Sequence, residues 1–307
     1  MSSPELPHGL TTRPLVIGDS AEVTAVIVEQ ELHDIGSAEI EEGDLLGEWQ
    51  RPSYDLTAST VAVLDGERIV AYAEHLGGER YDAAVLPSYR GRGIGTWLAH
   101  WVQSVARSSG AAIVGMPVPE GSAGDRLLTA LGYGVRWTSW VLRLPPGATI
   151  ETRPLPDGYA LREATEADRE QVWTVAEDAF LEWSARERES IGDFAARVWE
   201  RPGFEPWNLQ VVTAPDGSVA GVANVWNTAA DAAGDVDTYV SKLAVAPAHR
   251  DRGLAQALLV ASFAAGRSRG ATSSSLSTDS RTGALSLYEK VGMGPASVWV
   301  HRAITLT

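Results

Sequence analysis

One short stretch is written twice in this chain, and that duplication limits the possible folds more than any other feature. Val240-Ser241-Lys242-Leu243-Ala244-Val245-Ala246-Pro247 runs into the basic turn Ala248-His249-Arg250-Asp251-Arg252-Gly253, then into an Ala/Leu/Val-rich segment lasting to Gly266. Ala84-Val85-Leu86-Pro87 runs into Ser88-Tyr89-Arg90-Gly91-Arg92-Gly93 in the same way. An apolar run ended by proline, a glycine-containing turn and an apolar or amphipathic stretch predict strand, turn and helix. Such a helix N-terminus carries unpaired N–H groups and about half a positive charge, which suits a phosphate or pyrophosphate.

The copies extend well beyond the turns. Arg13 to Asp19 spans 6 positions, as does Arg162 to Asp168; Arg90 to Gly132 spans 42, as does Arg250 to Gly292. Trp140-Val141-Leu142-Arg143 and Trp299-Val300-His301-Arg302 follow those glycines at nearly equal distances. This agreement predicts two copies of one mixed α/β domain. The Pro-rich stretch Pro145-Pro146-Gly147, with Pro154 and Pro156 beyond it, reads as the connection. The expected division is a first domain over 1–148, a linker over 149–158 and a second domain over 159–307. In the first copy, Val61-Ala62-Val63-Leu64, Asp65-Gly66 and Ile69-Val70-Ala71 predict a β-hairpin. Helices are expected over 94–108 and 124–131, and strands over 83–86, 111–114 and 139–144. The second copy repeats that order, with helices expected over 184–199 and 282–291 and strands over 272–278 and 298–304.

Composition narrows the function. A 44% apolar share over 307 residues supplies full cores without any run long enough to span a bilayer. Met1-Ser2-Ser3-Pro4-Glu5 has neither a basic nor an apolar leader region, so the expectation is a cytoplasmic protein without a secretory signal. A net charge of −15 argues against nucleic acid as the main partner. Cysteine is absent, which removes disulfides, thiolate metal sites and cysteine nucleophiles. No histidine pair has metal-ligand spacing, so no metal is expected.

Both turns have the form Arg-x-x-Gly-x-Gly/Ala: Arg90, Gly93 and Gly95, then Arg250, Gly253 and Ala255. A dinucleotide-binding Rossmann turn needs Gly-x-Gly-x-x-Gly inside a parallel βαβ unit, and neither copy has that spacing. Leu243-Ala244-Val245-Ala246-Pro247 followed by Arg250-x-x-Gly253-x-Ala255 instead resembles the acyl-CoA-binding motif of the GNAT superfamily of N-acetyltransferases. Ala284-Leu285-Ser286-Leu287-Tyr288-Glu289-Lys290-Val291-Gly292-Met293 resembles the closing helix of the same family. The tandem arrangement is similar to that of actinobacterial two-domain members. The resemblance implies two GNAT-like domains, each a mostly antiparallel central sheet with helices on both faces.

It also implies roles, residue by residue. Leu243, Ala244 and Val245 would run beside the pantetheine arm of acetyl-CoA, with the Val245 N–H as donor to the thioester oxygen. Amides from Arg250, Asp251, Arg252, Gly253, Leu254 and Ala255 would hold the pyrophosphate, with charge added by the arginines. Val85, Arg90, Gly91, Arg92, Gly93, Ile94 and Gly95 are the corresponding cofactor-binding candidates of the first copy. Tyr288 matches the family's general acid for the departing thiolate. Asp237 is the candidate base for the amine. Arg281 stands where many members carry an asparagine.

Matching Gly132 to Gly292 places Leu128 opposite Tyr288, so the first copy lacks the phenol. The expectation is a catalytic second domain that moves acetyl from acetyl-CoA to a primary amine of a small molecule, in a monomer or homodimer. The alternative is a CoA-binding or small-molecule-sensing tandem module without turnover. A mycothiol precursor, an aminoglycoside, a peptide N-terminus and lysine all remain open as acceptors. Trp183, Trp199, Trp207 and Trp226 lie where the acceptor pocket would form, and Glu182, Glu187 and Glu189 could draw a cationic amine to the same region.

Overall fold

A computed structural model of the protein describes residues 5–145, 147–231 and 233–306. The leader reading on Met1 through Pro4 and the linker residue Pro146 lie outside the described residues. In chain order the elements are β1 (Thr11–Arg13), α1 (Ser20–Ile35), α2 (Glu42–Trp49), α3 (Leu56–Ser59), β2 (Thr60–Asp65), β3 (Arg68–Gly77) and β4 (Arg80–Val85). Next come α4 (Ile94–Ser108), β5 (Ile113–Pro119), α5 (Ala123–Ala130) and β6 (Gly134–Arg143). The second copy supplies β7 (Ala160–Glu163), α6 (Arg169–Leu181), α7 (Ile191–Arg197), β8 (Leu209–Thr213), β9 (Val219–Asn227) and β10 (Asp237–Val245). It closes with α8 (Leu254–Arg267), β11 (Ser273–Asp279), α9 (Leu285–Lys290) and β12 (Gly294–Thr305).

Two compact units result: Met1–Ser139 together with Ser297–Thr307, and Trp140–Ala296. The packing division therefore differs from the chain-order division at 149–158 by the closing strands. In unit 1 the strand order is β1-β2-β3-β4-β5-β12, and in unit 2 it is β6-β11-β10-β9-β8-β7, where the chain passes from unit 1 to unit 2 within β6, after Ser139. The strand beside β5 is β12, antiparallel over the full run from Trp299↔Pro119 to Thr305↔Ile113. Arg302 on β12 donates to Asp125 of α5 at 2.7 Å, which ties this strand to unit 1. On the unit 2 side, Leu144 donates to Ser274 O at 2.9 Å. Two pairs are parallel, β4 with β5 and β10 with β11, while β1 through β4, β5 with β12, and β7 through β10 pair antiparallel.

Ending the chain after Met293 is expected to weaken unit 1 selectively, although the cut falls in the second copy. Hydrogen exchange should then show lost protection in Ile113–Pro119 and retained protection in Leu209–Thr213.

Local chemistry repeats between the units. Arg13 grips Asp19 with bonds of 2.6 and 2.8 Å, and Arg162 grips Asp168 with the same two lengths. Glu22 on α1 accepts from Ile69 N at 2.8 Å, as Gln171 on α6 accepts from Val219 N at 2.9 Å. In unit 2 the alternation of β8 sends Val211 toward Val172 and Phe194, and Val212 toward Leu254 and Leu258. Helices thus cover both faces. Gly266 lets α8 press on β10, because a Cβ there would run into Thr238.

The helix expected over 184–199 is only Ile191–Arg197. Arg186 turns back onto buried Glu177 with bonds of 2.8 and 2.7 Å, and Glu189 N donates to the same carboxylate at 2.9 Å. Those contacts hold the preceding segment as a loop, and Ser190 then caps α7 by accepting from Asp193 N at 3.0 Å. Among the described residues no helix is long and apolar enough to cross a membrane.

Candidate active site

The site in unit 2 begins where two strands part. β10 pairs in parallel with β11 from Asp237↔Ser273 to Val240↔Leu276, and β9 follows the other edge of β10 as far as Val245↔Gly221. Ala246 N donates to Ala220 O at 2.9 Å, which fixes the phase of the antiparallel ladder. Lys242 and Ala244 therefore face β9, while Leu243 and Val245 direct their N–H and C=O groups to the opened edge. The Val245 carbonyl accepts from Arg250 Nε at 3.1 Å, and its N–H faces the opening. An edge with free backbone groups of this kind can take an added strand-like ligand.

After Pro247–His249, Asp251 has φ 59° and Gly253 has φ 77°, and α8 starts at once. Unit 1 repeats the turn with Gly91 at φ 75° and Gly93 at φ 94°. Asp251 is the one non-glycine with positive φ among the described residues, at a place where the other unit uses glycine. The turns thereby crown α8 and α4 with amides.

Charge at the turns differs from the sequence expectation. Arg250 is taken up by Glu182, with bonds of 2.8 and 2.6 Å, and Arg90 by Asp34, with bonds of 2.7 and 2.8 Å. Each arginine pins its turn to the end of the preceding long helix, so the amides, with Arg252 or Arg92, are left to meet an anion. Of the three acids expected to draw a cationic amine, Glu182 is engaged by Arg250 and Glu189 by Arg197.

Tyr288 lies on α9, 8% exposed, in a cluster with Val225, Val240, Leu259 and Phe263. Its hydroxyl makes no hydrogen bond to any described residue, and burial pushes its pKa up to about 12. Asp237 stands at the opposite end of β10, eight positions from Val245, or roughly 26 Å at the usual strand rise. Its carboxylate accepts from Ser273 and Ser275 and lies 3.8 Å from Arg143. The structure thus brings Leu243, Val245 and the turn together, and leaves Asp237 outside that group. Trp207 and Trp226 are buried, Trp199 packs on Phe194, and Trp183 packs on Phe180 and under Arg281, 4.8 Å from its ring. Arg281 is held by Asp279, with Nε to Oδ1 at 3.1 Å.

Unit 1 has the same opening with different contents. β4 meets β5 only at Arg80↔Gly115, so Val85 also faces an open edge. There the Val85 N–H donates to the Gln30 side chain at 3.0 Å. Gln30 lies 17 positions beyond Arg13, and Ala179 lies 17 beyond Arg162, so unit 2 has a methyl group where unit 1 has an amide. Leu128 is buried on α5 at the tyrosine's place. Gln30 was missed from sequence; the repeat offset carries the signal, but its meaning needs the partner 55 residues away.

Unit 1 also buries carboxylates. Glu74 accepts from Trp49 Nε1 at 2.8 Å and Tyr54 OH at 3.2 Å, and Asp82 is its partner across the ladder. Burial, with the Asp82 charge behind it, pushes Glu74 up to about 8, and burial pushes Glu31 up to about 7. A carboxyl raised on folding stabilises in full below pH 4.5, and that contribution is gone once pH has risen through the folded value. Glu74→Gln should therefore flatten the fall of Tm between pH 5 and 8.5, raising Tm at the upper end by about 2–4 °C.

Comparison with known proteins follows the same duplication. The model of the acetyltransferase (GNAT) family matches residues 29–123 and 161–293. A mycothiol acetyltransferase of Salinispora tropica is 30% identical over 262 residues, 81% of each chain. The crystal structure of a GCN5-related N-acetyltransferase from Sphaerobacter thermophilus superposes with a TM-score of 0.72 at 23% identity, over 98% of this chain and 97% of that one. A tandem GNAT protein from the clavulanic acid biosynthesis pathway gives 0.68 at 16% identity, over 97% and 99%.

Proposed function

Because the chain belongs to the GNAT family of acetyltransferases, we propose that unit 2 moves an acetyl group from acetyl-CoA to a primary amine of a small molecule. The observation that carries this reading is the contrast between units. Val245 presents an uncapped N–H beside a unit that holds Tyr288, whereas Val85 is capped by Gln30 and Leu128 replaces the phenol.

In this reading pantetheine lies along Leu243 and Val245, and the pyrophosphate sits on the amides of residues 250–255. The amine nitrogen attacks the thioester carbon, and its lone pair forms the C–N bond. The Val245 N–H stabilises the oxyanion. As that intermediate collapses, the C–S pair leaves on sulfur and takes the Tyr288 proton. The nitrogen's surplus proton passes to water, from which the phenolate recovers its own. No covalent enzyme intermediate is needed, since positioning of an activated thioester supplies the rest.

Among acceptors, the name of the Salinispora relative makes the mycothiol precursor the first to test. Free thiol released from acetyl-CoA should be followed with that precursor, an aminoglycoside, an alanine-terminated peptide and lysine. Release with at least one amine supports the assignment. If every amine fails while acetyl-CoA still raises Tm, with stabilisation following the logarithm of its concentration over Kd, the chain is a binding module without turnover.

A further inference from the structure

Besides its ligand edge, β10 has an irregularity that the acetyl-transfer reading leaves unused. The register against β9 shifts between Val240 and Lys242, so Ser241 bulges out of the ladder with its side chain exposed. Its Oγ donates to Asn224 Oδ1 at 2.6 Å. Trp226 Nε1 meets the same Oδ1 at 3.1 Å. An indole N–H can only donate, so that amide atom is the oxygen, and the serine must give its proton to it. The remaining atoms of the network agree. Asn224 Nδ2 donates to Asn208 O at 3.1 Å, and Asn208 Nδ2 donates to Val225 O at 2.7 Å. Glu205 N donates to Asn208 Oδ1 at 2.7 Å. Asn208 and Asn224 are 1% and 2% exposed, so water does not compete for these bonds. The Ser241 hydroxyl is thereby held with its hydrogen inward and its lone pairs outward.

The face is equally defined. Ala223 and Val225, either side of Asn224, pack with Leu258 and with Tyr288 respectively. Asn224 points the other way, and Lys242, its ladder partner, lies with its ammonium 5.8 Å from the rings of Phe180 on α6 and Phe194 on α7. Ser241 and Tyr288 are thus on opposite faces of β10, flanking the edge on which Leu243 lies two positions on. Attack on a planar thioester comes from one face of the carbonyl, and the sulfur then leaves from the tetrahedral intermediate. Counting back from Val85 as from Val245, unit 1 has buried Tyr81 at the serine's place and Glu74 at the place of Asn224, and the register shift of that ladder falls on β3, between His75 and Gly77.

We propose that Ser241, fixed as an acceptor-only hydroxyl by Asn224 and Trp226, receives an N–H of the attacking amine and aims its lone pair at the thioester from the α6/α7 face. This inference rests on the acetyl-transfer reading of unit 2. A serine hydroxyl is far too weak a base to keep the proton, so its part is to orient, and the surplus proton still leaves to water.

The test is Ser241→Ala and Ser241→Thr, assayed with the best acceptor of the amine panel. Ser241→Ala is expected to lower kcat/KM for the amine by about 10–100-fold. The KM for acetyl-CoA and its effect on Tm should stay unchanged, and Ser241→Thr should recover most of the loss. An amine kcat/KM within twofold of wild type in Ser241→Ala overturns the role. So does an equal loss of acetyl-CoA affinity, which marks a structural effect. Either result leaves acetyl transfer by the wild type standing, whereas a wild type that releases no thiol with any amine overturns both.

Discussion

Replacing Tyr288 with phenylalanine is expected to lower kcat by about 10²–10³-fold, within the range that a positioned general acid contributes. The change removes one oxygen from a side chain already packed among Val225, Val240 and Leu259, so fold and acetyl-CoA affinity should hold. The pH profile gives a second check. Burial raises the phenol to about 12, so it stays protonated throughout the range in which amines lose their protons. The wild-type kcat should therefore show no alkaline fall from this group below about pH 10. By linkage, the neutral buried phenol stabilises in full below pH 10, and that contribution disappears as pH rises through about 12. Leu128→Tyr in unit 1 should add no activity, because the Val85 amide there remains engaged by Gln30. A phenylalanine variant with wild-type kcat would remove Tyr288 from the mechanism.

The second large effect is expected from closing the open edge of unit 2. Ala179→Gln places on α6 the side chain that in α1 accepts from the strand amide at 3.0 Å. A glutamine folding onto Val245 would occupy the proposed oxyanion donor. Losing one such donor costs about 10²–10³-fold in kcat. Ala179→Leu adds comparable bulk without an acceptor and separates crowding from capping. Reduced turnover in the glutamine variant with a mild effect in the leucine variant is the expected pattern. Equal effects in both would mean that α6 simply lacks room, and no effect in either would mean that the Val245 amide is dispensable. The reciprocal Gln30→Ala uncaps Val85, and any new acetyl-CoA affinity would be read as an added rise in Tm at saturating ligand.

Much of the fold could be read from neighbours in sequence. The apolar run before Pro247, the 42-residue interval to each closing glycine and the Arg–Asp clamp six residues apart recur in both halves. The clamp joins residues only six apart, and the other two are patterns of residue identity and spacing. The helix expected over 94–108 is α4 at those bounds. The 184–199 segment misled because its periodicity ignores Glu177, whose buried carboxylate draws Arg186 and the Glu189 amide out of a helix. Asp237 precedes the motif in sequence, and on a strand each position back carries a group about 3.3 Å further off. The serines that engage it are 36 and 38 residues away, on β11.

By itself, the sequence determined a tandem mixed α/β chain, two amide-crowned turns, and a phenol present in only one copy. These follow from backbone preferences and residue identities that act locally. Tertiary structure alone decided which closing strand joins which unit. Trp140-Val141-Leu142-Arg143 and Trp299-Val300-His301-Arg302 have almost the same pattern, and a backbone ladder does not distinguish them. It alone decided that Gln30 occupies Val85, that Arg250 and Arg90 face carboxylates, and that Ser241 holds its lone pairs outward. A hydrogen bond's direction is set by every group within about 3 Å of it, and those groups come from distant parts of the chain.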